Sequence, residues 1–180
     1  MRSFNLELDL NRLTEEQAEE AARVAIASAY TESRINPHKF VDIVLKDETG
    51  KRLENDVIHR TWIEHAYYCW NRGMNSLILA PWESGKSTHM ALGLILFELG
   101  RNPNLRTAIV CNTDANAMKR VQTIKSYMEE DSDYRGVFPH VERDRKRAWT
   151  DHMLYLKRKA RLIDPSLEAH GVLTAAMSVR

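Results

Sequence analysis

Apolar positions fall along this chain in two rhythms, helical in the first seventy residues and strand-like from about residue 76. Thr14 followed by Gln17 has the form of a capping box, in which the hydroxyl and the amide satisfy free N–H groups at a helix start. The alanine-rich AEEAARVAIASAY predicts that this helix continues, and Asn36-Pro37 predicts that it has stopped. Residues 40–53 are short apolar pieces broken by the turn-like KDETGKR, with Gly50 inside it. Ile58, Trp62, Ala66 and Cys69/Trp70 share one helical face, and Gly73 is a natural terminator. The period then changes. Ser76 to Ala80 is a continuous apolar run of strand length, followed after one loop by the helical THMALGLILFEL, which is expected to end at Gly100. Arg106 to Cys111 predicts a second buried strand, and Thr113 a cap for a helix lined by Met118, Val121, Ile124 and Met128. The order βαβα predicts an α/β fold, a parallel sheet covered by helices, with ligands beyond the carboxyl ends of the strands. The loop at 80–88 occupies that location.

Its composition makes that loop the principal chemical candidate. Ala80-Pro81-Trp82-Glu83-Ser84-Gly85-Lys86-Ser87 fits the phosphate-binding pattern G-x-x-x-x-G-K-[ST] except that alanine replaces the first glycine. Gly85 permits close approach of backbone to phosphate, and the amides of the following helix start face the anion with the favourable end of the dipole. Lys86 would neutralise the β- and γ-phosphates, Ser87 would offer a hydroxyl to Mg²⁺, and Thr88 lies on the α-phosphate side. A stray Gly-Lys-Ser would seldom fall between an apolar strand-like run and a strong helix, so the expected cofactors are ATP and Mg²⁺.

Charge adds one further region. The net charge of +1 is uninformative, but residues 1–75 hold 10 Lys/Arg against 13 Asp/Glu, and the remainder holds 16 against 12. Within the basic part, Arg143, Arg145, Lys146, Arg147, Lys157, Arg158, Lys159 and Arg161 are where a polyanion such as double-stranded DNA is expected to lie; a solvated face is the plainer reading of any one of them. Cys69 and Cys111 lack ligand-like spacing and read as core thiols of a reducing compartment. The seven histidines suggest no metal pair, and no apolar run reaches a membrane-spanning length. These features predict a soluble, intracellular protein.

The run HRTWIEHAYYCWNRGMNSLILAPWESGKST, continued by RTAIVCNTDANAMKRVQTIKSYMEE, YRGVFPHV, Trp149 and PSLEAHGV, resembles the ATPase domain of tailed-bacteriophage terminase large subunits. The resemblance covers roughly the last two-thirds of the chain. It implies a P-loop NTPase (RecA/ASCE-like) fold, with residues 1–55 a helical extension or lid and residues 56–180 the first part of the ATPase core. It implies ATP-driven translocation of double-stranded DNA into a capsid, in the host cytoplasm. Lys86 carries over as the catalytic phosphate residue, Ser87 as the metal ligand, and Ser84 and Gly85 as backbone donors. Adenine is expected near His59, Arg60 and Trp62, although Trp62 lies on the apolar stripe and reads first as core. A portal protein, a small terminase subunit and a ring of identical subunits are the partners it implies.

Two departures set further expectations. Positions 81–84 lack the basic residue that many terminases carry in the loop, so an arginine from elsewhere in the chain or from a neighbouring subunit is expected to do its work. Glu83 is repulsive to a triphosphate unless it faces solvent or a base. The paired acids that close the next strand in the family are not visible before Arg180, which predicts an incomplete domain that binds nucleotide better than it hydrolyses it. The alternatives are another P-loop DNA-translocating or helicase-like ATPase, and a non-hydrolysing nucleotide-binding accessory protein.

Overall fold

Thr14 accepts from the Gln17 amide and Gln17 reciprocates, so the capping box forms and helix α1 runs over Glu15–Ser33. The computed structural model describes residues 14–160 and 162–172. Asn36 caps α2 (Pro37–Val44), whose proline sits in the first turn, where its missing N–H costs nothing. This helix replaces the broken apolar pieces expected from residue 40. KDETGKR forms the turn after it, with Asp47 accepting from the backbone of Thr49 and Lys51. Helix α3 (Val57–Trp70) stops where Gly73 adopts a φ of 64°, as its sequence predicts. Its buried residues are Trp62, Ile63 and Cys69, so the stripe is turned from the one that placed Ile58 and Trp70 inside.

After the loop, residues Ser87–Gly93 form a π-helical segment that runs directly into α4 (Leu94–Arg101). The helix ends one residue past Gly100. A Cβ on Gly100 would lie 2.2 Å from the ring of Phe138, so the glycine is needed for close packing. Strand β1 (Thr107–Cys111) leads through the Thr113 cap into α5 (Asp114–Glu130), with Ala117, Val121, Ile124 and Met128 buried. Helix α6 (Ser132–Val137), β2 (Met153–Leu154) and β3 (Leu167–Gly171) complete the described elements.

The fold is α/β with a mixed three-stranded sheet in the order β1-β3-β2. β1 and β3 are parallel, from Thr107 beside Leu167 to Cys111 beside Gly171, and β2 pairs with β3 antiparallel. Two sequence expectations are corrected here. The sheet is not wholly parallel, and residues 76–80 have no ladder partner among the described residues. Leu77 and Leu79 are 77% and 84% exposed. An apolar run favours extended backbone, but a strand also needs a neighbour, and the partner of β1 is β3.

The core unites distant parts of the described chain. Phe40 of α2 packs against Phe97 of α4 and Phe138 at ring separations of 5.4 and 5.6 Å, with Tyr134 of α6 at 6.2 Å. α2, α4, α5, α6 and the sheet all contribute to this one cluster. Each large side chain buried in it contributes on the order of 1.5–3 kcal/mol. Polar contacts fasten α1 and the turn after α2 to the same body: Asp133 accepts from Tyr30 at 2.9 Å and pairs with Lys46 at 3.1 Å and Arg52 at 3.5 Å, while Lys46 also reaches Asp131 at 2.5 Å.

Candidate functional site

The loop from Ala80 to Thr88 is a tight turn. Glu83 and Gly85 both take positive φ, 61° and 74°, and Ser84 Oγ donates to the Pro81 carbonyl at 2.8 Å. For a glutamate this backbone region is strained by roughly 1–3 kcal/mol, a cost found chiefly where function requires the geometry. Glu83 is exposed, so its carboxylate faces solvent, which meets one of the two conditions under which it can stand beside a polyphosphate. Lys86 already has helical backbone angles, and no side chain caps the helical stretch that starts at Ser87. Its first N–H groups therefore lack side-chain acceptors, which leaves the positive end of the dipole open to an anion.

An open cavity of about 650 Å³ lies over this turn, lined by every residue from Ala80 to Thr88 and by Arg120 of α5. That volume is within the usual range for small-molecule sites. The nine loop residues expected to contact a nucleotide thus all border one cavity. Trp82 stands at the cavity 90% exposed, and Lys86, Ser87 and Thr88 are half-buried. Arg120 is the residue that sequence reasoning missed. It is half-buried and has no hydrogen bond or ion pair among the described residues, and it comes to the loop because α5 packs against the π-helical segment. Nothing in MKRV marks this arginine out, because its position depends on a helix-to-helix contact.

Two imidazoles lie directly behind the turn. His59 of α3 and His89 of the π-helical segment are stacked, with ring centroids 3.9 Å apart and planes 4° from parallel. His59 Nε2 contacts the Ser84 carbonyl at 3.0 Å, and His89 Nδ1 contacts the Gly85 carbonyl at 3.0 Å. A carbonyl only accepts, so each of those ring nitrogens carries a proton. Burial holds the His89 pKa below the usual histidine range, and the neighbouring His59 lowers it further, against opposing contributions from the Gly85 and Glu54 backbone and from Asp42.

The segment expected against adenine is otherwise engaged. Trp62 is 8% exposed and belongs to the interior. Arg60 donates to the Asn55 carbonyl at 2.9 Å and pairs with Asp42 at 3.6 Å. His59 is spent on the loop backbone, so none of the three lines the cavity, and Trp82 is the aromatic group that does.

The basic span is largely tied to its own fold. Lys157 pairs with Glu142 at 2.9 Å, Arg143 with Glu129 at 3.9 Å, and Arg147 with Asp144 at 3.7 Å. Arg158 donates to Ser166 Oγ and to the Asp164 carbonyl at 3.0 Å, a structural role. Arg145, Lys146 and Lys159 are exposed and have no side-chain partner among the described residues, and Arg161 lies outside them. No group of three or more His, Cys, Asp or Glu side chains that could hold a metal occurs among the described residues, and no described helix is long and apolar enough to cross a membrane. Comparison with protein families, curated proteins and solved structures finds no match.

Proposed function

We propose that this chain binds ATP with Mg²⁺ at the loop of residues 80–88, within a P-loop NTPase fold, as the nucleotide-binding part of a viral DNA-packaging motor of the terminase large-subunit kind. One observation carries the nucleotide reading. Gly85 at positive φ, an uncapped helical start at Ser87, and Lys86, Ser87, Thr88 and Arg120 all border one cavity. A polyphosphate there would meet backbone N–H groups and two cationic side chains. Lys86 acts as a point charge on the terminal phosphates, and Arg120 adds a planar guanidinium able to bind two phosphate oxygens at once. Trp82 offers the exposed ring on which a base could stack.

The residues present fit the metal as far as its protein share goes. Mg²⁺ keeps several waters and takes few protein ligands besides phosphate oxygens, and the Ser87 hydroxyl, with no hydrogen bond among the described residues, is of the right donor type. When bound, the ion would neutralise charge on the terminal phosphates. The terminase assignment rests on the sequence resemblance, as do the portal, small-subunit and ring partners. For DNA, the exposed Arg145, Lys146 and Lys159 are the groups we assign to phosphate contact.

A second reading, a nucleotide-binding accessory protein that does not hydrolyse ATP, is favoured by the lining itself. Among the described residues that line the cavity, the one carboxylate is Glu83, on the exposed turn. ATP turnover by this chain is accordingly expected to be slow or undetectable, and motor-like rates would contradict that assignment of the carboxylates. Titration calorimetry with Mg·ATP tests the primary claim. Lys86→Ala should weaken binding tenfold or more, a change of at least about 1.4 kcal/mol, and equal affinity for the two proteins would remove the loop as the site.

A further inference from the structure

His59 and His89 have no part in the motif, yet they touch the loop backbone at Ser84 and Gly85. A Cβ added at Gly85 would lie 3.2 Å from His89 Nδ1 and 3.3 Å from His59 Nε2, so the glycine is pressed against both rings. We infer that the stacked His59–His89 pair is a clamp that orients the amides of Gly85 and Lys86 toward the anion. The inference rests on the nucleotide reading above.

The peptide geometry supplies the argument. A trans peptide points its C=O and N–H to opposite sides, and the described residues include no cis bond. With the Ser84 carbonyl held by His59, the Gly85 N–H is turned the other way, away from the imidazoles. With the Gly85 carbonyl held by His89 Nδ1 and also by the His89 backbone N–H at 3.0 Å, the Lys86 N–H is turned likewise. Two successive N–H groups are thereby set as a pair, the arrangement in which backbone binds anions. Neither carbonyl is then free to swing toward phosphate.

Each ring donates to the loop through one nitrogen. His59 Nε2 carries the proton, because its Nδ1 accepts the Asp56 backbone N–H at 3.1 Å in the cap of α3. His89 carries a proton on Nδ1, the nitrogen that faces the Gly85 carbonyl.

The test compares the Mg·ATP affinity of wild type, His59→Ala and the double variant His59→Gln/His89→Asn, whose side-chain amides keep one donor each, at pH 7.5. His59→Ala should lose about tenfold in affinity with its thermal transition still cooperative. The double variant should stay within about threefold of wild type. Equal affinities for wild type and His59→Ala, or a double variant as weak as His59→Ala, would overturn the clamp. Imidazole ¹⁵N spectra of the ligand-free wild type give an independent reading: Nε2–H at His59 and Nδ1–H at His89 support it, and the opposite tautomers overturn it. Should wild type bind no nucleotide, the nucleotide reading fails, and the spectra still decide whether the clamp exists.

Discussion

Gly85 carries three demands at once: a φ of 74°, contact with two imidazoles, and closeness to a cavity that must admit phosphate. Gly85→Ala should therefore lose nucleotide binding and also destabilise the fold by roughly 1–2 kcal/mol, visible as a lowered melting temperature; an unchanged melt would show that the turn tolerates a side chain. Arg120, the half-buried cation beside the loop, should matter most for the distal phosphates. Arg120→Ala should weaken ATP about tenfold and leave AMP nearly unaffected in parallel titrations, and equal losses for both would place it elsewhere on the ligand. His89 sets a pH dependence of stability whose sign is fixed. Its pKa is depressed in the folded chain, so its contribution is complete above the unfolded value of about 6.5 and is lost as pH falls through the lower folded value. Denaturant titrations should show wild type losing more stability than His89→Asn between pH 6.5 and 5; parallel losses would deny His89 that role.

At the scale of elements, local chemistry was legible and pairing was not. The Thr14 capping box, the Thr113 cap, the buried side of α5 and the turn around Gly50 all formed as their residues predict, because each depends on neighbours close in sequence. Residues 76–80 show the limit. Their apolar run reports a preference for extended backbone, whereas a ladder is a contact between distant segments, and β1 found β3, 60 positions away at Thr107 and Leu167. Pro37 marks the end of α1, as its sequence predicts, and is also the first residue of α2, a second role that the broken apolar pattern from residue 40 hides. Gly100 stands one residue before the end of α4, and its packing against Phe138 is what the sequence does not show. Gly100→Ala should cost on the order of 1–3 kcal/mol by forcing Phe138 out of place, measured by chemical denaturation, and a neutral result would mean that the ring has room to move.

For the whole molecule, the site depends on packing that joins distant parts of the chain. The loop comes from residues 80–88, its clamp from α3 and the π-helical segment, and its second cation from α5; the motif announces only the first of these. The motif and its Gly-Lys-Ser-Thr were readable because phosphate chemistry constrains consecutive residues. The clamp and Arg120 were not, since they are set by how helices stack. The charged contacts of Asp133 tie α1, the turn after α2 and α6 together. Burial raises its pKa, but hydrogen bonds from Lys46 and Tyr30 and the charges of Lys46 and Arg52 outweigh that and hold it below the ordinary carboxylate value. That stabilisation is present above the unfolded pKa and is lost on acidification through the folded one. If exposed Arg145, Lys146 and Lys159 contact DNA phosphates, affinity should fall steeply with salt, and binding indifferent to salt would exclude them. The central claim, that the loop and Arg120 form one nucleotide site, is tested most directly by amide NMR during titration with Mg·ATP. The account predicts saturable shifts concentrated at residues 84–88 and around Arg120 that vanish in Lys86→Ala. Shifts clustered elsewhere, or an identical response from Lys86→Ala, would contradict it.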